Sequence, residues 1–162
     1  LKDDITDKQF KEARELCKSE IIEIGAVILN DSLEKVSEFK KYVKPEYNKI
    51  SKKCSKLTGI TDEILESAPN FKDAIEEFMN WCKENCEGEE FKIYEWSEND
   101  LNQLVKEINL KQISSEDFEM FIVDWCDFQK EYCRLLGVEK RISLSMAISS
   151  IGEEFEGQVH DA

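Results

Sequence analysis

A lone histidine near the end of the chain is the first side chain suited to acid–base chemistry. His160 is the only histidine in the sequence, and it follows an amphipathic segment and a turn that contains Gly152 and Gly157. A single histidine is often a packed structural residue. An imidazole nevertheless has the unperturbed pKa nearest to neutrality and can accept a proton from water at working pH. His160 is therefore a candidate general base if the fold supplies partner groups.

A carboxylate stands where a strand passes into a helix. The alternating segment from Phe91 to Trp96 predicts a strand, and a helix is predicted to begin near Ser97, which places Asp100 in its first turn. Proteins of the α/β class place their sites at such strand ends. A carboxylate in this position also interacts favourably with the helix dipole, by about a few tenths of a kcal/mol. Position alone leaves both interpretations open.

Four lysines form a basic cluster in an acidic chain. Two short helices are predicted between residues 49 and 67, with Gly59 as the stop of the first and Thr61 as the N-cap of the second. The lysines follow a helical spacing that predicts one shared face: Lys49, Lys52, Lys53 and Lys56. This face is either solvated or a contact surface for a nucleic-acid backbone.

A mixed sheet with helices on its faces is predicted to position these residues. The apolar run from Ile21 to Leu29 predicts a strand covered on most of both faces, and Val36 to Val43 predicts its antiparallel hairpin partner. Asn70 is the predicted N-cap of a helix with a continuous apolar stripe. The other predicted elements are a helix over 6–17, a strand over 118–123, a turn at Asp124 and Trp125, and helices over 128–136 and 144–151. This order is typical of the α/β class.

Composition limits the possible functions. The sequence is 41% hydrophobic and 36% charged and contains only six glycines and two prolines, which indicates one globular domain over residues 1–162. A net charge of −14 argues against a protein that coats long nucleic acid by charge alone. It does not exclude an enzyme that holds a short strand end through metal ions.

The cysteines and the first residues indicate a reduced, cytoplasmic protein. The six cysteines lie inside periodic segments without an export signal, so we expect packed thiols rather than disulfides. Cys82 and Cys86 share a helical spacing, but no second Cys or His pair accompanies them, which disfavours a zinc site. No apolar run reaches the roughly 20 residues of a membrane span, and the segment after Leu1 lacks signal-peptide features. We expect an intracellular protein without a membrane segment.

Four short motifs in order resemble the landmarks of one enzyme family. They are EIIEIGAV from Glu20, LTGIT from Leu57, WSEND ending at Asp100, and EGQVHDA around His160. These motifs resemble those of the DEDDh-type 3′–5′ exonucleases, the DnaQ-like group. The resemblance covers nearly the whole chain from Glu20. It implies an α/β RNase H-like fold, with a mixed sheet flanked by helices on both faces.

The resemblance also implies a mechanism and a substrate. Members of this family hydrolyse phosphodiester bonds at single-stranded 3′ ends, with two Mg²⁺ or Mn²⁺ ions held by four carboxylates. By this pattern Asp100 is the second-motif metal ligand and His160 is the general base. The groove near Leu57 and Thr58 would receive the terminal nucleotide of RNA or DNA, and the lysine face would contact its backbone. Such ions on oxygen ligands suit an in-line displacement.

The sequence departs from the family pattern at both ends. The first motif is an Asp-x-Glu pair, but Thr6 stands where its Glu should follow Asp4. By the family pattern the last carboxylate should follow His160 by about five residues, a position that this sequence does not reach. We therefore expect that the chain lacks the first-motif strand and the C-terminal helix, and that it is inactive alone. One alternative is a degenerate exonuclease-fold module that binds nucleic acid or a protein partner. Another is an unrelated α/β interaction domain.

Overall fold

Seven helices and four strands make up the part of the chain that the structure describes. This computed structural model describes residues 7–86, 90–113 and 125–154. In chain order the elements are α1 (Asp7–Leu16), β1 (Glu23–Leu29), β2 (Lys35–Tyr42), α2 (Lys52–Thr58), α3 (Asp62–Glu66), α4 (Phe71–Asn85), β3 (Ile93–Glu95), α5 (Asn99–Leu110), β4 (Trp125–Asp127), α6 (Phe128–Leu136) and α7 (Leu144–Ser150).

The first two strands form the predicted antiparallel hairpin. Strands β1 and β2 pair in register up to a bulge between Ile28 and Leu29. The prediction that both faces of β1 are mostly covered is wrong, because Val27 is 54% and Leu29 is 49% exposed. Alternate side chains of a strand point to opposite faces. Only the face that carries Ile24 and Ala26 packs against the core.

The other two strands pair in parallel. Ile93 lies opposite Trp125, and Glu95 lies opposite Asp127. The predicted turn at Trp125 is wrong, because this residue begins β4. Its backbone finds a partner in β3, which lies far away in sequence. The predicted strand over residues 118–123 lies outside the described residues.

Helix α4 contributes the largest part of the hydrophobic core. Its N-cap is Asn70, whose side chain accepts a hydrogen bond from the Asp73 N–H at 3.0 Å. The predicted apolar stripe is buried, and Phe78 packs against Phe39 of β2 with ring centroids 5.3 Å apart. Leu104 of α5 belongs to the same core cluster. Burial of a large apolar side chain contributes about 1.5–3 kcal/mol, so this cluster fixes α5 against α4.

The two short helices α2 and α3 confirm their predicted stop and cap, but Lys49 lies outside them. Gly59 ends α2 with a φ of 73°, and Thr61 is the N-cap of α3. The N-cap of α2 is Ser51, whose hydroxyl accepts a hydrogen bond from the Cys54 N–H at 3.0 Å. Helical spacing therefore does not extend back to Lys49. The prediction of a four-lysine helical face is wrong at this residue.

The six cysteines are thiols that form no disulfide bond, as predicted. Burial raises the pKa of the Cys82 thiol to about 12. No helix within the described ranges is long and apolar enough to cross a membrane.

Candidate active site at the first turn of helix α5

Asp100 lies where its sequence position predicts, in the first turn of α5. Three residues separate the end of β3 at Glu95 from the first helical residue, Asn99. The Asp100 side chain reaches solvent, yet partial desolvation by the surrounding protein raises the pKa of its carboxyl. A carboxylate held at an exposed strand-to-helix junction is a suitable oxygen ligand for a hard divalent cation.

A second carboxylate lies beside Asp100, and the sequence pattern did not predict it. Glu95 is only 8% exposed, and its Oε2 accepts a hydrogen bond from the Leu101 N–H at 2.9 Å. Burial raises the pKa of Glu95, and the negative charges of Asp100 and Asp127 raise it further, whereas the Leu101 N–H opposes this change. The available signal was its alternation with Ile93, which places both side chains on one face of β3.

A third carboxylate lies at the end of the neighbouring strand. Asp127 faces Glu95 across the parallel pair, and its Oδ1 accepts a hydrogen bond from the Lys130 N–H at 3.0 Å. Its Oδ2 lies 3.6 Å from an Arg141 guanidinium nitrogen. Within the described ranges, no group of three or more His, Cys, Asp or Glu side chains has a geometry that could hold a metal ion. Glu95 and Asp127 cap helices, whereas Asp100 reaches solvent.

An aromatic cluster holds the turn between β3 and α5. The Trp96 ring lies 5.6 Å from the Tyr132 ring and 6.1 Å from the Phe128 ring, measured between centroids. Its Nε1–H donates to the Ile142 carbonyl at 3.2 Å. Ser97 then adopts a left-handed backbone conformation, with φ of 85°. Packing against α6 thus fixes the segment that leads to Asp100.

A buried ionic network holds the opposite end of α5. The Lys111 ammonium lies 2.8 Å from a Glu107 oxygen and 3.1 Å from a Glu20 oxygen, and all three side chains are at most 3% exposed. The same ammonium lies 4.6 Å from the centroid of the Phe71 ring. Two carboxylates share one cation, so further donors must compensate the excess negative charge.

Backbone N–H groups supply those donors. Glu20 accepts hydrogen bonds from the backbone N–H groups of Glu46, Tyr47 and Asn48 at 2.8–2.9 Å. Burial favours a higher pKa for Glu20, but these donors and the Lys111 charge outweigh it and lower the pKa. For Lys111, burial favours a lower pKa, but its two carboxylate partners raise it. Glu20, the first residue of its motif, thus has a structural role.

Gln103 connects the network to the side of α5 that carries Asp100. Its Nε2 donates to the Glu107 carboxylate at 2.9 Å and to the Ser19 carbonyl at 2.8 Å. Positions three and four apart share one helix face. Asp100, Gln103 and Glu107 therefore lie along one side of α5.

Comparison with known proteins identifies the family. The sequence pattern of the RNase T family, described as Exonuclease, matches residues 12–162. The chain belongs to this exonuclease family. The 3′-5′ exoribonuclease 1 of Rattus norvegicus is 29% identical over 145 residues, which cover 87% of this chain and 42% of that protein. The ERI1 exoribonuclease 2 of Danio rerio is 31% identical, with coverage of 87% and 28%. The chain thus spans less than half the length of these curated relatives.

Solved structures of exonucleases share the fold. The nuclease domain of 3′hExo, a DEDDh family member bound to rAMP, aligns with a TM-score of 0.77 and 26% identity over 86% of this chain and 71% of that chain. A full-length 3′-exonuclease aligns with a TM-score of 0.76 and 25% identity over 88% of this chain and 48% of that chain. The predicted α/β RNase H-like fold and the DEDDh, DnaQ-like family are therefore confirmed.

The predicted nucleotide-binding residues of the exonuclease lie at the end of α2. Leu57 is 44% exposed. The Thr58 hydroxyl donates to the Cys54 carbonyl at 3.0 Å and accepts from the Ile60 N–H at 3.2 Å. No hydrogen bond or ion pair among the described residues joins Leu57 or Thr58 to Asp100. His160 lies outside the described residues.

The predicted lysines are exposed, and a second basic group accompanies them. Lys49, Lys52, Lys53 and Lys56 have no carboxylate within 4.0 Å in the part of the chain that the structure describes. Three cations of α1 and the residues after it also line an open cavity of about 380 Å³ beside Asn48: Lys11, Arg14 and Lys18. The available signal was the spacing of Lys11 and Arg14, because positions three apart in α1 share a helical face.

Proposed function

We propose that this chain is the nuclease domain of a 3′–5′ exonuclease that shortens single-stranded RNA. The observation that carries the proposal is the position of Asp100. Its carboxylate lies at the end of β3, in the first turn of α5, within a fold shared with DEDDh nuclease domains. A site of this kind requires a metal-binding carboxylate at this junction.

Asp100 and His160 have distinct proposed roles. Asp100 is a ligand of a divalent cation, and bound Mg²⁺ or Mn²⁺ ions stabilise negative charge on the attacking and leaving oxygens of the phosphodiester. His160 accepts the proton of the attacking water, a task that suits an imidazole near neutral pH. Helix α5 holds Asp100 in place, because its two ends are fixed to β3 and to the buried network.

RNA is the proposed substrate class because of how the relatives align. The exoribonuclease relatives align with 87% of this chain. The DNA polymerase III subunit epsilon of Buchnera aphidicola is 40% identical but aligns with only 39% of it. At the end of α2, the exposed Leu57 is proposed to pack against the terminal nucleotide, since the Thr58 hydroxyl already makes two bonds. Lys49, Lys52, Lys53 and Lys56 are proposed to contact phosphates.

The experiment is hydrolysis of a single-stranded RNA, labelled at its 5′ end, by the full-length protein with Mn²⁺ or Mg²⁺. We expect progressively shorter products and the release of mononucleotides. Asp100→Asn and His160→Ala are each expected to lower kcat by about 100-fold or more, because each removes charge stabilisation or proton transfer in the transition state. A DNA strand of the same sequence tests the choice of RNA.

Asp73→Asn is the matched control. Asp73 also lies in the first turn of a helix, but that helix is α4, and its partner is the cap residue Asn70. This variant should keep the activity of the unmodified protein. If the unmodified protein shows no turnover with either metal, the proposed nuclease activity is excluded. The alternative of an exonuclease-fold module that only binds then remains. Full activity of Asp100→Asn would exclude Asp100 as a metal ligand.

A further inference from the structure

Helix α5 lacks the side-chain cap that other helices of this chain possess. Helices α2, α3, α4, α6 and α7 each begin after a residue whose side chain accepts a hydrogen bond from a backbone N–H of the first turn. The corresponding residue before α5 is Glu98, and its side chain makes no such bond. The first N–H groups of a helix have no acceptor within the helix. Another group must therefore accept them.

Glu95, at the end of the preceding strand, accepts one of them. Its Oε2 receives the Leu101 N–H at 2.9 Å. The acceptor belongs to β3, which pairs with β4, so its position is set by the sheet rather than by the loop. The residue that directly follows Asp100 is thus held through its backbone N–H.

The environment of Glu95 suits a capping carboxylate. Its side chain is 8% exposed, and no ion pair with a cation is seen for it within the described ranges, whereas Asp127 has Arg141 nearby. A buried carboxylate needs hydrogen-bond donors, and the N-terminus of a helix offers both N–H groups and a favourable dipole. The Glu95 carboxylate is therefore a hydrogen-bond acceptor directed at the first turn of α5.

We propose that Glu95 is a positioning residue for Asp100, which it holds through the N–H of the adjacent Leu101 in the first turn of α5, without itself binding the metal. The proposal rests on the proposed function of Asp100 as a metal ligand. Two observations separate positioning from a ligand role. Oε2 is already directed at the helix backbone, and no metal-binding group of three or more ligands includes Glu95 within the described ranges.

The test compares Glu95→Gln with Glu95→Ala in the full-length protein. The glutamine keeps an oxygen that accepts the Leu101 N–H but carries no charge, whereas the alanine removes the acceptor. We expect Glu95→Ala to lower kcat by about 10- to 100-fold, because a small displacement of a reacting group has an effect of this size. KM for the RNA should change little, and more Mn²⁺ should be needed for half-maximal rate. Glu95→Gln should stay within about threefold of the unmodified protein.

Glu98→Ala is the matched control, because it removes a neighbouring carboxylate that caps nothing. Its activity should equal that of the unmodified protein. A Glu95→Gln variant as impaired as Glu95→Ala would overturn the proposal, because charge rather than hydrogen bonding would then be required. Full activity of Glu95→Ala would overturn it as well.

Amide hydrogen exchange tests the cap without any need for turnover. The Leu101 amide should lose protection by about fivefold in Glu95→Ala and keep it in Glu95→Gln. Unchanged protection in Glu95→Ala would refute the cap even if the enzyme is active. Conversely, an inactive unmodified protein whose Glu95→Ala variant loses this protection would refute the proposed function and leave the capping role intact.

Discussion

Buried carboxylates lie at both ends of α5, but the pKa shifts at the two ends have opposite directions. At the C-terminal end, Lys111 and several N–H groups compensate Glu20 and Glu107, and the pKa of Glu20 is lowered. At the N-terminal end, the pKa values of Glu95 and Asp100 are raised, chiefly by burial. One end is a closed structural anchor. At the other end, no cation pairs with Glu95 or Asp100 within the described ranges, and Asp100 reaches solvent, as its proposed role as a metal ligand requires.

Removal of the cation from the closed end is expected to have the largest effect on stability. Lys111→Met leaves Glu20 and Glu107 buried without their shared partner. A broken buried ion pair costs about 3–5 kcal/mol, so the free energy of unfolding in urea should fall by this amount. Lys106→Met is the control, since Lys106 is exposed on the same helix, and it should change stability by less than about 0.5 kcal/mol. A loss below about 1 kcal/mol for Lys111→Met would show that the N–H groups suffice.

The lowered pKa of Glu20 predicts how stability depends on pH. Because the folded-state pKa lies below the ordinary value of 4.5, the stabilisation is fully present above that value and is lost as pH falls through the folded-state pKa. Urea unfolding of the unmodified protein and of Glu20→Gln should therefore show a constant difference above about pH 5, which narrows on acidification. Glu38→Gln is the control. Lys35 lowers the pKa of the Glu38 carboxyl in the same direction, but both side chains of this pair are exposed. A difference that widens in acid would reverse the assigned sign.

The smallest expected effects concern the backbone beside each end of α5. Ser97 has a φ of 85° and Gln112 a φ of 52°, and both conformations favour glycine. Ser97→Gly and Gln112→Gly should each raise the free energy of unfolding by about 0.5–1 kcal/mol. Only Ser97→Gly should lower the nuclease rate, by about twofold, because it loosens the turn before Asp100. If the two variants are equally active, the rigidity of the turn before Asp100 does not affect the nuclease rate.

Local signals predicted most helix boundaries correctly. Gly59 ends α2 in the left-handed conformation, and Thr61 and Asn70 are the N-caps of α3 and α4. These predictions hold because a cap bond or a positive φ depends on only a few neighbouring residues. Asp100 was placed correctly for the same reason, since its position in the first turn follows from the strand and helix around it.

Predictions that depended on distant partners were less successful. The exposure of Val27 depends on which face of the hairpin the core covers, and the pairing of Trp125 depends on a strand 32 positions earlier. The roles of Glu95 and Lys111 were not predicted at all. A charged residue inside a periodic segment has the same local pattern whether it is solvated or buried, and its partners are known only after the chain has folded.

The sequence by itself determined the family, the α/β class and the location of Asp100, because ordered motifs and short-range periodicity carry this information. The role of His160 as general base stays a prediction. The binding of the terminal nucleotide near Leu57 and Thr58, and of phosphates by the four lysines, also stays a prediction. Only the tertiary structure decided how α5 is held. Its two ends meet Glu95 from one strand and Glu20 from the segment before another, and a contact over such a separation exists only when packing brings the charges and N–H groups together.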